Sequence, residues 1–211
     1  MDKNVTAILI KTEEWRDYDY RVTLFSADGI ERAVMKGVRK KDAKLKFAAQ
    51  PFAFCDYELS VKNNAVVTGA TQIENLSAIA EDVDKFTLGC IMLESAEVAV
   101  NAVDSAGLFV ALLKSLKALL YSNADPRLIT AKLLQKILHD SGFCRFDVSN
   151  ISTDTVSGLI GAVAKSYLDD LDKISADEET VSAALHRIVA LFCEEMDCTL
   201  KSARRVLNVK K

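Results

Sequence analysis

The sequence predicts an α+β protein in which a small closed β-barrel precedes a bundle of helices. Three observations predict it. Near residue 75 the apolar residues stop alternating, as they do in strands, and begin to recur every three or four positions, as they do in helices. Five short runs rich in Val, Ile, Thr and aromatics lie before that point, separated by turn residues. Half of the 211 residues are hydrophobic and only 8 Gly and 2 Pro interrupt them, which gives a chain long enough to bury a core and excludes disordered or collagen-like readings.

The strands are expected at Val5 to Thr12, Tyr20 to Ser26, Ile30 to Val38, Phe52 to Val61 and Ala65 to Glu74. The second and third meet at Ala27-Asp28-Gly29, where Asp-Gly tolerates the positive φ of a tight hairpin, and the fourth and fifth meet at Asn63-Asn64. Five antiparallel strands with a longer connection after the third match a five-stranded OB-fold barrel, in which closure removes exposed edges. Residues 1–75 are therefore read as an OB-fold domain and residues 76–211 as a helical domain for packing and partner interaction.

Helices are expected at Ala78 to Val100, Ala106 to Tyr121, Pro126 to Ser141, Thr153 to Leu171 and Glu178 to Asp197, with a short basic turn at Lys201 to Leu207. Asp125 caps the third while Pro126 takes its first position, where a missing N–H costs nothing. Gly142 supplies the left-handed residue after its end, and Ser175 with Glu178 has the spacing of a capping box. Runs such as Leu112, Leu113, Leu116, Leu119 and Leu120 require these helices to bury one another.

The apolar run before Lys11 is too short for a signal-peptide core or a membrane span, so a cytoplasmic protein that does not engage membranes is expected. Cys55, Cys90, Cys144, Cys193 and Cys198 are an odd set, read as reduced thiols in or near the core rather than a disulfide framework. Their spacings, Cys193-x4-Cys198 and His139-x4-Cys144, do not form the short-spaced pairs a tetrahedral zinc site uses, so no metal and no cofactor are expected. None of the phosphate-loop, dinucleotide, nucleophile-elbow or zinc-protease motifs occurs, and the two histidines, His139 and His186, fall inside expected helices. The chain reads as a non-enzyme.

The sharpest feature is charge. The protein carries a net charge of -3, yet from Arg32 to Lys46 seven basic residues stand against the single Asp42, a local net of +6. Lys36, Arg39, Lys40 and Lys44, reinforced by Arg32, Lys41 and Lys46, sit at the end of the third strand and in the connection after it, on the rim of the expected barrel. Single-stranded nucleic acid needs cations that track phosphates and flat surfaces on which bases stack. Aromatics lie close by in Trp15, Tyr18, Tyr20, Phe25, Phe47, Phe52 and Phe54. Cys55, Tyr57, Leu59 and Val61 face the barrel interior, so Phe52 and Phe54 point outward, where they either dock the barrel on the helices or, with Phe47, stack bases. A second basic cluster, Lys201, Arg204, Arg205, Lys210 and Lys211, either complements a helix dipole or adds to an anion or partner surface.

Taken in order, these residues resemble the RecO family of bacterial recombination mediators. The similar stretches are Lys11-Thr12-Glu13-Glu14 to Tyr20, then VTLFS, the Asp-Gly hairpin, the block MKGVRKK, Gln50-Pro51-Phe52, Leu133-Leu134 through Ser141-Gly142-Phe143, and Leu200-Lys201-Ser202-Ala203-Arg204. Many family members carry a four-cysteine zinc module after the Gly-aromatic element, whereas here Cys144 stands alone and Asp147 to Gly161 holds no cysteine. The resemblance implies a role in DNA repair and recombination after DNA damage. It implies an OB domain that binds single-stranded and double-stranded DNA and promotes strand annealing. It also implies cooperation with RecR in loading RecA on DNA coated by single-strand binding protein (SSB), and a helical surface for the SSB C-terminal tail. The residues alone leave one rival: a helical protein–protein adaptor whose basic barrel loop binds an acidic partner peptide.

Overall fold

A computed structural model describes residues 2–143, 146, 149 and 151–207. Five strands, β1 (Asp2–Trp15), β2 (Asp19–Ser26), β3 (Gly29–Met35), β4 (Phe54–Val61) and β5 (Ala65–Glu74), close into a barrel in the order β1-β2-β3-β5-β4. The 14-residue β1 makes closure possible by serving two neighbours: Asp2 to Ile8 pairs with β4, and Ile8 to Trp15 pairs with β2 across an irregularity between Leu9 and Lys11. A single parallel bridge, Val34 to Val66, joins β3 to β5. The chain is thus an α+β protein with an N-terminal five-stranded OB-fold barrel followed by helices.

Alternation sorts the side chains of each strand. Inward-facing Ala7, Leu9, Val22, Leu24, Ala33, Met35, Cys55, Tyr57, Leu59 and Val67 fill the barrel. Gly29 stands at φ 110° in the β2–β3 turn, as the Asp-Gly signal requires. β3 ends earlier than the sequence pattern suggests because Gly37 turns to φ 65°; β4 begins at Phe54 because Phe52 stands at φ 66°, outside strand geometry.

The helices are α1 (Val83–Ala99), α2 (Ser105–Tyr121), α3 (Pro126–Asp140), α4 (Val156–Lys165), α5 (Glu178–Glu195) and the single turn α6 (Arg204–Leu207). Asp125 caps α3 by accepting from Arg127 N at 2.8 Å, and Gly142 follows it at φ 76°. Two expected helices are divided. Asp82 accepts from Asp84 N and Lys85 N at 2.9 and 3.0 Å, so α1 starts there and the preceding Leu76–Glu81 is a 3-10 segment. The expected Thr153 to Leu171 helix stops at Lys165: Lys132 Nζ reaches the carbonyls of Val163 and Ala164 at 3.0 and 2.8 Å, and Ser166 is extended before a second 3-10 segment, Leu168–Lys173. The cap of α5 is Asp177, which accepts from Thr180 N at 2.8 Å, and not Ser175 as the capping-box spacing suggests.

The helical core does not stop at the helices. Ile8, Phe25, Phe52 and Phe54 leave the barrel wall and join it. The Phe25 ring meets Phe109 edge-on at 5.8 Å between centroids, Phe52 meets Phe86 edge-on at 5.9 Å, and Phe54 also packs on Phe109 at 6.3 Å. Gly89 of α1 admits the Phe52 ring: a β-carbon there would lie 2.7 and 2.8 Å from two ring atoms. Ion pairs Lys11–Glu97 (3.6 Å) and Lys117–Glu74 (2.5 Å) flank the seam. Among the described residues no helix is long and apolar enough to cross a membrane.

Candidate nucleic-acid interface

The basic connection between β3 and β4 is a string of tight turns pinned to the barrel end. Gly37 N donates to Asp19 Oδ1 at 2.7 Å and Arg39 N donates to Tyr18 O at 3.0 Å, which ties the connection to the β1–β2 loop. Successive turn bonds follow, Lys40 N to Gly37 O, Ala43 N to Lys40 O and Lys46 N to Ala43 O, at 3.1 to 3.3 Å. Val38, Ala48 and Ala49 point into the barrel core, and the Tyr57 hydroxyl donates to Ala48 O at 3.0 Å. Its backbone is fixed from both ends. The charged side chains are left on the outside.

All seven sequence-selected cations, Arg32, Lys36, Arg39, Lys40, Lys41, Lys44 and Lys46, are exposed. Arg39 is paired with Glu14 at 3.0 Å; the other six form no ion pair with a described residue. Arg39 and Lys40 also sit near the rings of Tyr20 and Tyr18, 5.7 and 5.6 Å from the centroids. Phe47 is partly exposed at the end of the run.

Sequence reasoning missed a second set of residues. A groove of about 600 Å³ runs along the outside of β2 and β3 between the β1–β2 loop and the β4–β5 turn, and Arg32 and Lys36 share it with Arg16, Arg21, Lys62 and Trp15. Arg21 lies over the Trp15 ring at 4.0 Å, which holds the indole at the groove edge with part of its surface open. Alternation signals Arg21, since it follows Tyr20 and precedes buried Val22 and so must face outward. Lys62 stands beside the Asn63-Asn64 turn. Neither stands out as a charge run because barrel closure, and not sequence proximity, brings them to Arg32.

For Phe52 and Phe54 the structure decides between docking and stacking. Phe52 is fully buried and Phe54 is 6% exposed, both covered by α1 and α2, so neither offers a face to a base. That correction has a plain cause: outward from the barrel here means inward to the bundle. Of the C-terminal cluster, Lys201 and Arg204 are exposed, while Lys210 and Lys211 lie outside the described residues; Cys144, beyond the end of α3, also lies outside them. His139 and His186 are exposed on helices, and neither lines the groove.

Comparison with known proteins gives the same direction. The family described as "Recombination protein O N terminal" matches residues 1–78. The chain is 31% identical over 143 residues to a DNA repair protein RecO from Thermobifida fusca, covering 64% of this chain and 58% of that protein. It is 30% identical over 144 residues to a DNA repair protein RecO from Nocardioides, with 65% and 58% covered. The matched stretch therefore spans a little over half the length of these relatives.

Proposed function

Because the N-terminal barrel matches the family described as "Recombination protein O N terminal", we propose that this chain is a non-enzymatic DNA-binding recombination mediator of DNA repair, with the strand lying along the basic groove and over the rim beside it. The observation that carries this reading is the convergence of Arg16, Arg21, Arg32, Lys36 and Lys62 on one open groove bounded by the two barrel loops, with Trp15 at its edge. Cations spaced along a groove neutralise successive phosphates, and release of the condensed counterions favours binding. An indole with an open face stacks a base of any identity, so the surface tolerates all sequences, as a mediator of strand exchange requires.

Lys36, Arg39, Lys40 and Lys44 hold phosphates in this reading, and Arg32, Lys41 and Lys46 strengthen the field. Residues 1–75 act as the DNA-binding domain and residues 76–211 as the surface for protein partners. From the resemblance to RecO, those partners are RecR and the acidic C-terminal tail of SSB, and the outcome is annealing of strands and RecA loading on SSB-coated DNA. Both single-stranded and double-stranded DNA are substrates, because phosphate contacts carry most of the affinity in either form.

The test is fluorescence anisotropy of a labelled single-stranded oligonucleotide titrated with the protein at several salt concentrations. If about four to six phosphates are neutralised, log affinity falls against log salt with a slope of roughly -3 to -4. Binding that is salt-insensitive, or unchanged when the groove and rim cations become alanine in a folded variant, refutes the placement. Such a result, together with capture of acidic peptides by the same cations, supports the adaptor reading instead.

A further inference from the structure

The end of α5 brings two cysteines together in a way that the DNA-binding reading does not use. The helix closes with Met196 N donating to Phe192 O, Asp197 N to Glu194 O and Cys198 N to Cys193 O, the last at 3.0 Å. Asp197 stands at φ 46°. A left-handed residue followed by a six-to-one backbone bond is the Schellman motif, and that motif turns the side chain after the left-handed residue back onto the one five positions earlier. Here both of those side chains are thiols. Both are half-buried, so the pair is held by packing yet open to a small reagent.

We propose that Cys193 and Cys198 are a dithiol that closes to an intramolecular disulfide across the C-terminus of α5 when a small-molecule disulfide such as oxidised glutathione is present. One thiolate attacks the reagent disulfide, forming a mixed disulfide and releasing one reagent thiol. The second then attacks the protein sulfur of that mixed disulfide, forming the Cys193–Cys198 bond and releasing the other reagent thiol. The protein loses two electrons and two protons, and the reagent gains both as two thiols.

The surroundings give the bond a local consequence. Burial pushes the Cys198 thiol up to about 11, and the neighbouring Cys193 thiol, within hydrogen-bonding reach, adds to the shift. Closure is therefore slow near neutrality, and Cys198 is a poor leaving group when the bond is attacked at Cys193. Only four residues separate the cysteines, so the bond constrains the unfolded chain little. What it fixes is the turn leading to Leu200 and Ala203, both buried, and to Ser202, whose N–H donates to Glu94 Oε2 of α1 at 3.2 Å. The exposed cations Lys201 and Arg204 ride on that turn.

The sequence makes the test direct, because trypsin leaves Cys193 and Cys198 alone together in one peptide, from Ile188 to Lys201. The whole folded protein is incubated with oxidised glutathione at mildly alkaline pH, quenched in acid, alkylated, digested and weighed. The proposal expects this peptide to lose two hydrogens and to carry no alkyl group and no glutathione, while the Cys55 and Cys90 peptides remain alkylated. In Cys193→Ser, Cys198 is then alkylated or carries glutathione as a mixed disulfide. Recovery of the natural peptide doubly alkylated, glutathione retained on either cysteine as the main product, or a link from either to Cys90 would overturn it.

Discussion

The outer wall of the barrel has two halves that use the same kinds of residue for opposite ends. Along β2 and β3 one end carries Phe25, roofed by Phe109 of α2, and the other carries Arg21 and Arg32, open to solvent beside Trp15. Three residues separate Arg21 from Phe25 in sequence, and both face outward. The difference lies in what the wall meets. Where helices cover it, an aromatic ring is structural and its loss is a stability event. Where no described residue covers it and cations surround it, a ring has the proposed role of a surface for a ligand, and its loss is then an affinity event. Each half can be broken without the other, and that independence is what the following measurements examine.

The largest effect is expected in the covered half. Phe52 is fully buried against Phe86 and Gly89, and Phe52→Ala removes a whole ring from that contact. Urea denaturation is expected to show a loss of about 3–5 kcal/mol. Gly89→Ala attacks the same contact from the opposite side, since the added carbon would overlap the ring, and about 1–3 kcal/mol is expected. In both variants, DNA affinity measured below the unfolding midpoint stays within about twofold of the natural protein. A selective loss of DNA binding in folded Phe52→Ala would show that the two halves are not independent.

The open half answers to salt. Changing Lys36, Arg39, Lys40 and Lys44 to alanine together is expected to weaken single-strand binding on the order of 10²-fold at low salt and to flatten the log–log salt slope by roughly 3. Exposed cations removed from a connection whose backbone is fixed by Asp19, Tyr18 and the buried Val38, Ala48 and Ala49 leave the thermal midpoint nearly unchanged. Trp15→Ala comes next. It removes a stacking surface without a charge, so affinity falls by about 1–2 kcal/mol while the salt slope holds, and Trp15→Phe restores most of it. A change in slope with Trp15→Ala would mean that the indole acts by placing Arg21, which lies on it at 4.0 Å, and not by stacking.

How far the sequence reaches follows the same division. Alternation and turn chemistry locate all five strands, and the charge run Arg32 to Lys46 marks the rim, because each of these signals is local. What alternation cannot say is which outward-facing residue meets a helix. Phe54 and Arg21 both read as outward, and only the packing of α1 and α2 on one side of the barrel separates them. Lys62 and Arg16 escape notice for a related reason: they belong to different loops, and the closed order β1-β2-β3-β5-β4 alone brings them to one groove. The helix at Thr153 to Leu171 misleads because its terminating contact, Lys132 Nζ on the carbonyls of Val163 and Ala164, comes from a helix more than twenty residues away.

The smallest expected effect sharpens the open half most. Among the described residues Arg39 is the one rim cation in an ion pair, with Glu14 at 3.0 Å, and Glu14 is itself well exposed. An exposed pair of this kind contributes little to stability, so Glu14→Gln changes folding by less than about 1 kcal/mol. It also frees a guanidinium beside six lysines or arginines that form no ion pair with a described residue, and removes a carboxylate that repels phosphate. Single-strand affinity is therefore expected to rise, by about 2- to 5-fold at low salt, with the gain vanishing as salt screens the rim. Unchanged affinity would place the strand in the Trp15 groove without contact to Arg39; a decrease would mean that Glu14 orients the guanidinium for the phosphate, and Arg39→Lys, which loses the planar fork but keeps the charge, would then fall as far as Glu14→Gln.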